Sequence, residues 1–107
     1  TNNINMSFLN NIFGKENSLD TIITSNAFLV DVRTPAEFAE GNVAGSTNIP
    51  LDQVENSLSQ FEGKENIVVF CRSGNRSGQA KLLLEQNGFE NVTNAGTWED
   101  VNEILNQ

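Results

Sequence analysis

Histidine is absent from this 107-residue chain. That excludes Ser-His-Asp and Cys-His arrangements, His-containing zinc sites and any His general base supplied by the chain itself. Cysteine occurs once, as Cys71. A single cysteine permits no internal disulfide and fits a reducing compartment. The expected location is cytoplasmic, or periplasmic if an export signal has been removed ahead of Thr1. Cations are scarce: six Lys and Arg stand against fourteen Asp and Glu, a formal charge of −8. Nucleic acid is not an expected partner, because its binding rests on Lys and Arg meeting phosphate. An anionic membrane surface is disfavoured for the same reason. No apolar run approaches membrane-spanning length. Neither a metal site nor a cofactor is expected.

What remains is enough for one domain with a real core, at 37% apolar residues. Seventeen residues are Asn, scattered among apolar segments rather than gathered in a tract. The three arginines are not scattered. Arg33 follows Asp31-Val32, and Arg72 and Arg76 lie within five residues of Cys71. Any single Arg is usually a surface residue, but this grouping suits one local anion site.

Residues 1–26 are expected to form an N-terminal segment with a short helix, and residues 27–107 the domain proper. Met6 looks like a natural start, with Thr1 to Asn5 a remnant or the product of processing. Phe8, Leu9, Ile12 and Phe13 have helical spacing and suit a helix docking on the body. Leu19 to Thr24 fits either a short helix or a first strand. Ala27 to Val32 is a buried strand. Thr34-Pro35-Ala36-Glu37 is a helix start, with Thr34 as N-cap and Glu37 completing a capping box. Leu51, Val54, Leu58 and Phe61 make one apolar helical face, closed by Gly63. Asn66 to Phe70 is a second strand. Gln79 to Gln86 is a helix with Ala80, Leu83 and Leu84 inward and Gly88 as its stop. Phe89 to Asn94 is a third strand candidate. A closing helix buries Trp98, Val101, Ile104 and Leu105. Strand and helix alternate over short links, so the expected fold is α/β: a mainly parallel sheet with helices on both faces. In such sheets the site lies beyond the carboxyl ends of the strands, where Arg33 and Cys71 would share a rim.

The run Ile67-Val68-Val69-Phe70 delivers Cys71 to Arg72-Ser73-Gly74-Asn75-Arg76-Ser77. A lone cysteine after a buried strand is in general a small core hydrophobe. Two arginines and no apolar residue directly after it do not suit a core. They suit an anion pocket at a helix N-terminus. A thiol reacts as its thiolate, and a free cysteine near pKa ~8.5 is mostly protonated at neutral pH. Converging backbone N–H groups, the helix dipole and the cations Arg72 and Arg76 would all lower that value. Ser73 and Ser77 can donate hydroxyl hydrogen bonds, and Gly74 lets the backbone turn.

Leu29-Val30-Asp31-Val32-Arg33, Glu37-Phe38, Gly41 through Gly45 to Asn48-Ile49-Pro50, Val69 to Ser77, and Gly96 with Trp98 together resemble the rhodanese family. The resemblance runs in unbroken order over roughly residues 27 to 105. It implies a three-layer α/β/α domain with a sheet of about five strands. It also implies a sulfurtransferase: Cys71 takes a sulfane sulfur from a donor such as thiosulfate, holds it as a persulfide, and passes it to cyanide or a thiol, small or protein-borne. Arg72 and Arg76 would orient the donor's oxyanion, and backbone N–H groups from Arg72 to Ser77, across Ser73, Gly74 and Asn75, would cradle the sulfur. Asp31 would hold the rim, with Arg33 either structural or substrate-facing. Asn42 departs from the family pattern, which often has His there, and Ala95 replaces the first of a frequent Gly pair. Three rival readings remain. A persulfide carrier serving a protein partner shares the chemistry. Phosphatases and arsenate reductases on related folds typically place one more residue between Cys and Arg than the four found here, Arg72 to Asn75. A non-catalytic binding module usually lacks the Cys.

Overall fold

The computed structural model describes residues 19–107. The helix expected around Phe8 to Phe13 and the suggested start at Met6 lie outside the described residues. Helix α1, Leu19–Thr24, comes first, so this segment is helical rather than a strand. Then follow β1 (Phe28–Asp31), α2 (Pro35–Glu40), β2 (Thr47–Asn48), α3 (Leu51–Val54), a 3₁₀ segment (Glu55–Phe61), β3 (Ile67–Cys71), α4 (Asn75–Gln86), β4 (Val92–Thr97) and α5 (Trp98–Leu105). The strands lie in the order β2-β1-β3-β4, and every pairing is parallel. Among the described residues the sheet thus has four strands, where the resemblance implied about five.

Two hydrophobic layers cover the sheet, and side-chain alternation decides which residue joins which. Val30, Ile67, Val69, Cys71 and Val92 face Val54, Phe61, Ala80 and Leu84, the layer of α3, the 3₁₀ segment and α4. Leu29, Val68, Phe70 and Ala95 face Ile23 and Val101, the layer of α1 and α5. All five residues of β3 are buried, as expected of a central parallel strand with helices on both sides. Ile23 of α1 is 2% exposed, so a segment ahead of residue 27 is part of this core.

Three expectations shift. The apolar face from Leu51 to Phe61 exists, but the α-helix gives way to 3₁₀ at Glu55 and kinks at Ser57 (φ −125°). Its residues Asn56, Ser57 and Ser59 compete for backbone hydrogen bonds and form helix poorly. The third strand runs from Val92 to Thr97, not from Phe89. Phe89 instead completes the end of α4: its N–H donates to Leu84 O, Gly88 N–H donates to Glu85 O, and its ring meets Phe61 edge-on. Finally, α4 begins at Asn75, four residues before the expected Gln79. Leu83 on this helix is half-buried rather than buried, and Leu105 on α5 is exposed.

Candidate active site

Cys71 ends β3 on the side that faces α4, and it is fully buried. Only Arg72, Ser73 and Gly74 separate it from the helix. Gly74 is the N-cap, with φ 96°, a left-handed conformation that glycine adopts without steric cost. Its neighbour Gly96 lies so close that a Cβ on Gly74 would sit 3.4 Å from Gly96 Cα.

A glycine N-cap has no side chain to accept the first N–H groups of the helix. The Cys71 sulfur takes that place. Gly74 N–H donates to Sγ at 3.0 Å, and Ser77 N–H, in the first helical turn, donates at 3.4 Å. The Ser77 hydroxyl is also 3.4 Å from Sγ. Burial pushes the thiol up. The Ser77 hydroxyl and the N–H groups of Ser77, Ser73 and Gly74 outweigh it and leave the thiol below its ordinary value. The sequence expectation of a nest plus a helix N-terminus is met by these donors. The expected arginine contribution comes at longer range: no guanidinium hydrogen-bonds the sulfur among the described residues, while charge is felt between Arg76 and Cys71.

Arg76 is already engaged. Its Nη1 and Nη2 donate to Glu37 Oε1 and Oε2 at 2.6 and 3.0 Å. Glu37 at the same time closes the capping box on Thr34 at the start of α2. The Arg76 hydrogen bond, then the Thr34 N–H, hold the Glu37 carboxyl at about 2, and Arg76 is pushed up in return. Beside Arg76 a hollow of about 240 Å³ opens between Val32, Thr34, Pro50, Leu51 and Asp52. A larger hollow of about 400 Å³ lies around Phe28 and Gly63 to Asn66, at the start of β1 and β3 and so at the opposite edge of the sheet. Arg72 and Ser73 are exposed, as is Asn75. Arg72 forms no ion pair among the described residues.

Asp31 and Arg33 share the rim with Cys71 but sit on other business. Arg33 Nε donates to both Asp31 oxygens at 2.9 Å, and its Nη2 donates to Oδ2 at 2.7 Å. The remaining donors meet Gly41 O at 2.7 Å and Glu37 O at 3.3 Å, and the guanidinium carbon lies 4.6 Å from the Trp98 ring centre. Arg33 is 4% exposed and its Nε and Nη2 are taken up by Asp31 and Gly41, so of its two open roles the geometry supports the structural one. Trp98 in turn packs its ring edge on Gly41, where a Cβ would come within 3.0 Å. Asn42 donates to Phe38 O and so ends α2.

Comparison with known proteins fits this geometry. A family model for the rhodanese-like domain matches residues 15–101. The chain belongs to the rhodanese family. It is 38% identical over 71 residues to a sulfurtransferase of Allochromatium vinosum, a match spanning 66% of this chain and 66% of that protein. It is 36% identical over 74 residues to the thiosulfate sulfurtransferase PspE of Escherichia coli, spanning 67% of this chain and 71% of that one. Among solved structures, a rhodanese with anions from E. coli superposes with a TM-score of 0.62 at 36% identity, covering 68% of this chain and 88% of that chain. The four-stranded parallel sheet between helices is therefore a rhodanese fold.

Two residues of this rhodanese site escaped the sequence reading. Glu37 was legible as a cap, but nothing local signals that it also holds Arg76 from 39 residues away. Asn94 is one of seventeen asparagines. It sits on β4 opposite Val69, where Ala95 bulges and the register shifts. Its Oδ1 accepts from Ser77 Oγ at 2.7 Å and from Gly96 N–H at 3.0 Å, and its Nδ2 donates to Gly74 O at 3.2 Å. Gly78 makes room for that amide, since a Cβ there would meet Nδ2 at 3.4 Å. No helix among the described residues is long and apolar enough to cross a membrane.

Proposed function

We propose that this protein moves a sulfane sulfur from thiosulfate or a similar small donor to a thiol or cyanide acceptor through a persulfide on Cys71. The observation that carries the reading is the seat of the sulfur itself. Sγ occupies the N-cap acceptor position of α4, with backbone N–H groups of Gly74 and Ser77 pointing at it. Such donors stabilise negative charge wherever it resides, first on the thiolate and then on the outer sulfur of a persulfide. In the first half-reaction the Cys71 thiolate attacks the sulfane sulfur. A new S–S bond forms, the donor's S–S bond breaks, and sulfite departs with the electron pair. In the second, the acceptor takes the outer sulfur and Cys71 returns as thiolate. With no second cysteine in the chain, the acceptor is external.

The two loop arginines divide the work differently from the sequence expectation. Arg72 is the guanidinium open to solvent beside Cys71, and it is our assigned contact for the donor's sulfonate oxygens. Arg76, paired to Glu37, braces the first turn of α4 against α2. Ser73 and Asn75 flank the way in. Cys71 is fully buried while its neighbours Arg72, Ser73 and Asn75 are exposed, so this short loop is the wall between Sγ and solvent.

The short loop also weighs against a phosphatase or arsenate-reductase reading. With α4 starting at Asn75, the turn is three residues long and two N–H groups reach one sulfur atom. Such a short ring suits the single outer sulfur of a persulfide better than a phosphate group held within the loop. The test is steady-state turnover of thiosulfate and cyanide, with sulfite and thiocyanate measured. Parallel double-reciprocal lines, sulfite release before cyanide addition, and complete loss in Cys71→Ser are expected. Turnover in Cys71→Ser, or phosphate-ester hydrolysis in place of sulfur transfer, would overturn the reading. A protein that accepts no sulfur from thiosulfate but becomes persulfidated by a cysteine desulfurase would be the carrier instead.

A further inference from the structure

We infer that Asn94 is a positioning residue for the Cys71 sulfur: it holds the single hydroxyl proton of Ser77 while Cys71 is a thiol and yields it when Cys71 is a thiolate. The inference rests on the reading of Cys71 as the sulfur-accepting nucleophile.

The orientation of the Asn94 amide is fixed by two partners that have no choice. The Gly96 N–H can only donate, and it meets Oδ1 at 3.0 Å. The Gly74 carbonyl can only accept, and it meets Nδ2 at 3.2 Å. Oδ1 therefore faces Ser77, 2.7 Å from Oγ. A carbonyl oxygen cannot donate, so at that distance the Ser77 hydroxyl must. Ser77 has one such proton. Once it points at Asn94, what Ser77 turns to Cys71, at 3.4 Å, is an oxygen lone pair.

A lone pair suits a thiol, whose S–H can donate to it. It does not suit a thiolate. When Cys71 loses its proton to solvent, the Ser77 hydroxyl gains by rotating its proton from Asn94 to Sγ. Asn94 Oδ1, on an exposed residue, then keeps the Gly96 N–H and exchanges the buried hydroxyl for solvent. The stabilisation that Ser77 gives the thiolate is thus reduced by what it gives up at Asn94. Once Sγ is bonded to a second sulfur its own charge is gone, and the proton returns to Asn94. Ser77 is fully buried, so no bulk water substitutes at the hydroxyl in the folded site. Asn94 thereby links the ionisation of Cys71 to the β4 bulge and to the carbonyl of the N-cap glycine.

The charged groups around the sulfur are Arg72 in the loop, Arg76 on α4 with its partner Glu37, Asp31 at the end of β1 with its partner Arg33, and Asp52 on α3. The adjoining strand β4 carries no charged residue. None of these charged groups hydrogen-bonds Asn94.

The test is the pH dependence of Cys71 alkylation by iodoacetamide in the full chain, where Cys71 is the only thiol. Asn94→Leu removes the acceptor and keeps water from replacing it. The midpoint of the rate profile is expected to fall by about half to one pH unit, the scale of one neutral hydrogen bond. In a Ser77→Ala background the same replacement is expected to leave the midpoint where it is. Asn94→Val, smaller than Leu and still apolar, serves the same comparison should the larger side chain disturb the fold. A residue that merely braces the loop would raise the midpoint when removed, by loosening the Gly74 and Ser77 donors, or would speed alkylation at every pH alike. Either result overturns the inference, as does an equal fall without Ser77. The readout uses no sulfur donor, so its failure is separable from failure of the sulfurtransferase reading.

Discussion

Arg33 and Cys71 lie at the carboxyl ends of adjacent strands at the same edge of the sheet, yet the two buried centres are held by opposite means. Arg33 and Asp31 are a full charge against a full charge, 4% and 0% exposed, and every donor of the guanidinium that the structure pairs has a fixed oxygen. No side-chain charge hydrogen-bonds Cys71: its polar contacts are the N–H groups of Gly74 and Ser77 and the Ser77 hydroxyl. Buried formal charges demand partners at all times, because an unpaired one costs several kcal/mol. Neutral dipoles make a weaker demand. They favour a negative sulfur without requiring it, so the charge on Cys71 can come and go through a reaction cycle. The first arrangement suits a strut and the second a reacting atom.

The sharpest way to separate them is to remove the sulfur. Cys71→Ser is expected to abolish sulfur transfer with no loss of melting temperature beyond a few degrees, checked by thiocyanate formation and thermal unfolding. Asp31→Ala strikes the other centre. It leaves the Arg33 charge buried and unpaired, and denaturant unfolding is expected to show a loss of about 3–5 kcal/mol. Molecules that remain folded should still transfer sulfur. Ser77→Ala acts on the cradle without touching a charge. It raises the Cys71 pKa, and alkylation at neutral pH is expected to slow by up to about ten-fold.

Glu37 gives the smallest effect and shows the direction of the charge term. Its carboxyl titrates at about 2 in the folded protein against an ordinary 4.5. A depressed carboxyl stabilises the fold above the ordinary value and loses that contribution as pH falls toward the folded one. The urea midpoint of the native protein is therefore expected to exceed that of Glu37→Gln near neutral pH. The difference should shrink between about pH 5 and about pH 2.

The contrast between the two centres also marks what could be read without coordinates. The strands β1 and β3 were plain from their buried runs, and the capping box at Thr34 and Glu37 was plain from four residues. The Cys71 turn announced itself because cations and small residues follow an apolar strand. The start of α4 did not, since Arg76 and Ser77 look like loop until the sulfur is seen to serve as the cap acceptor. The onset of β4 was misplaced by three residues because Phe89 is apolar for another reason, the closure of α4 on Phe61. Arg76 reads as an anion ligand when Glu37 is only a cap. Asn94 reads as nothing at all, because its meaning comes from a bulge that sets its amide between Gly74, Gly96 and Ser77.

The most direct test of the account is the intact mass of the purified protein after thiosulfate, without reductant. The expected result is a gain of one sulfur atom, lost on adding cyanide or dithiothreitol and absent in Cys71→Ser. An unchanged mass under thiosulfate, or a sulfur adduct that survives in Cys71→Ser, would contradict the claim that Cys71 carries the transferred sulfur from that donor.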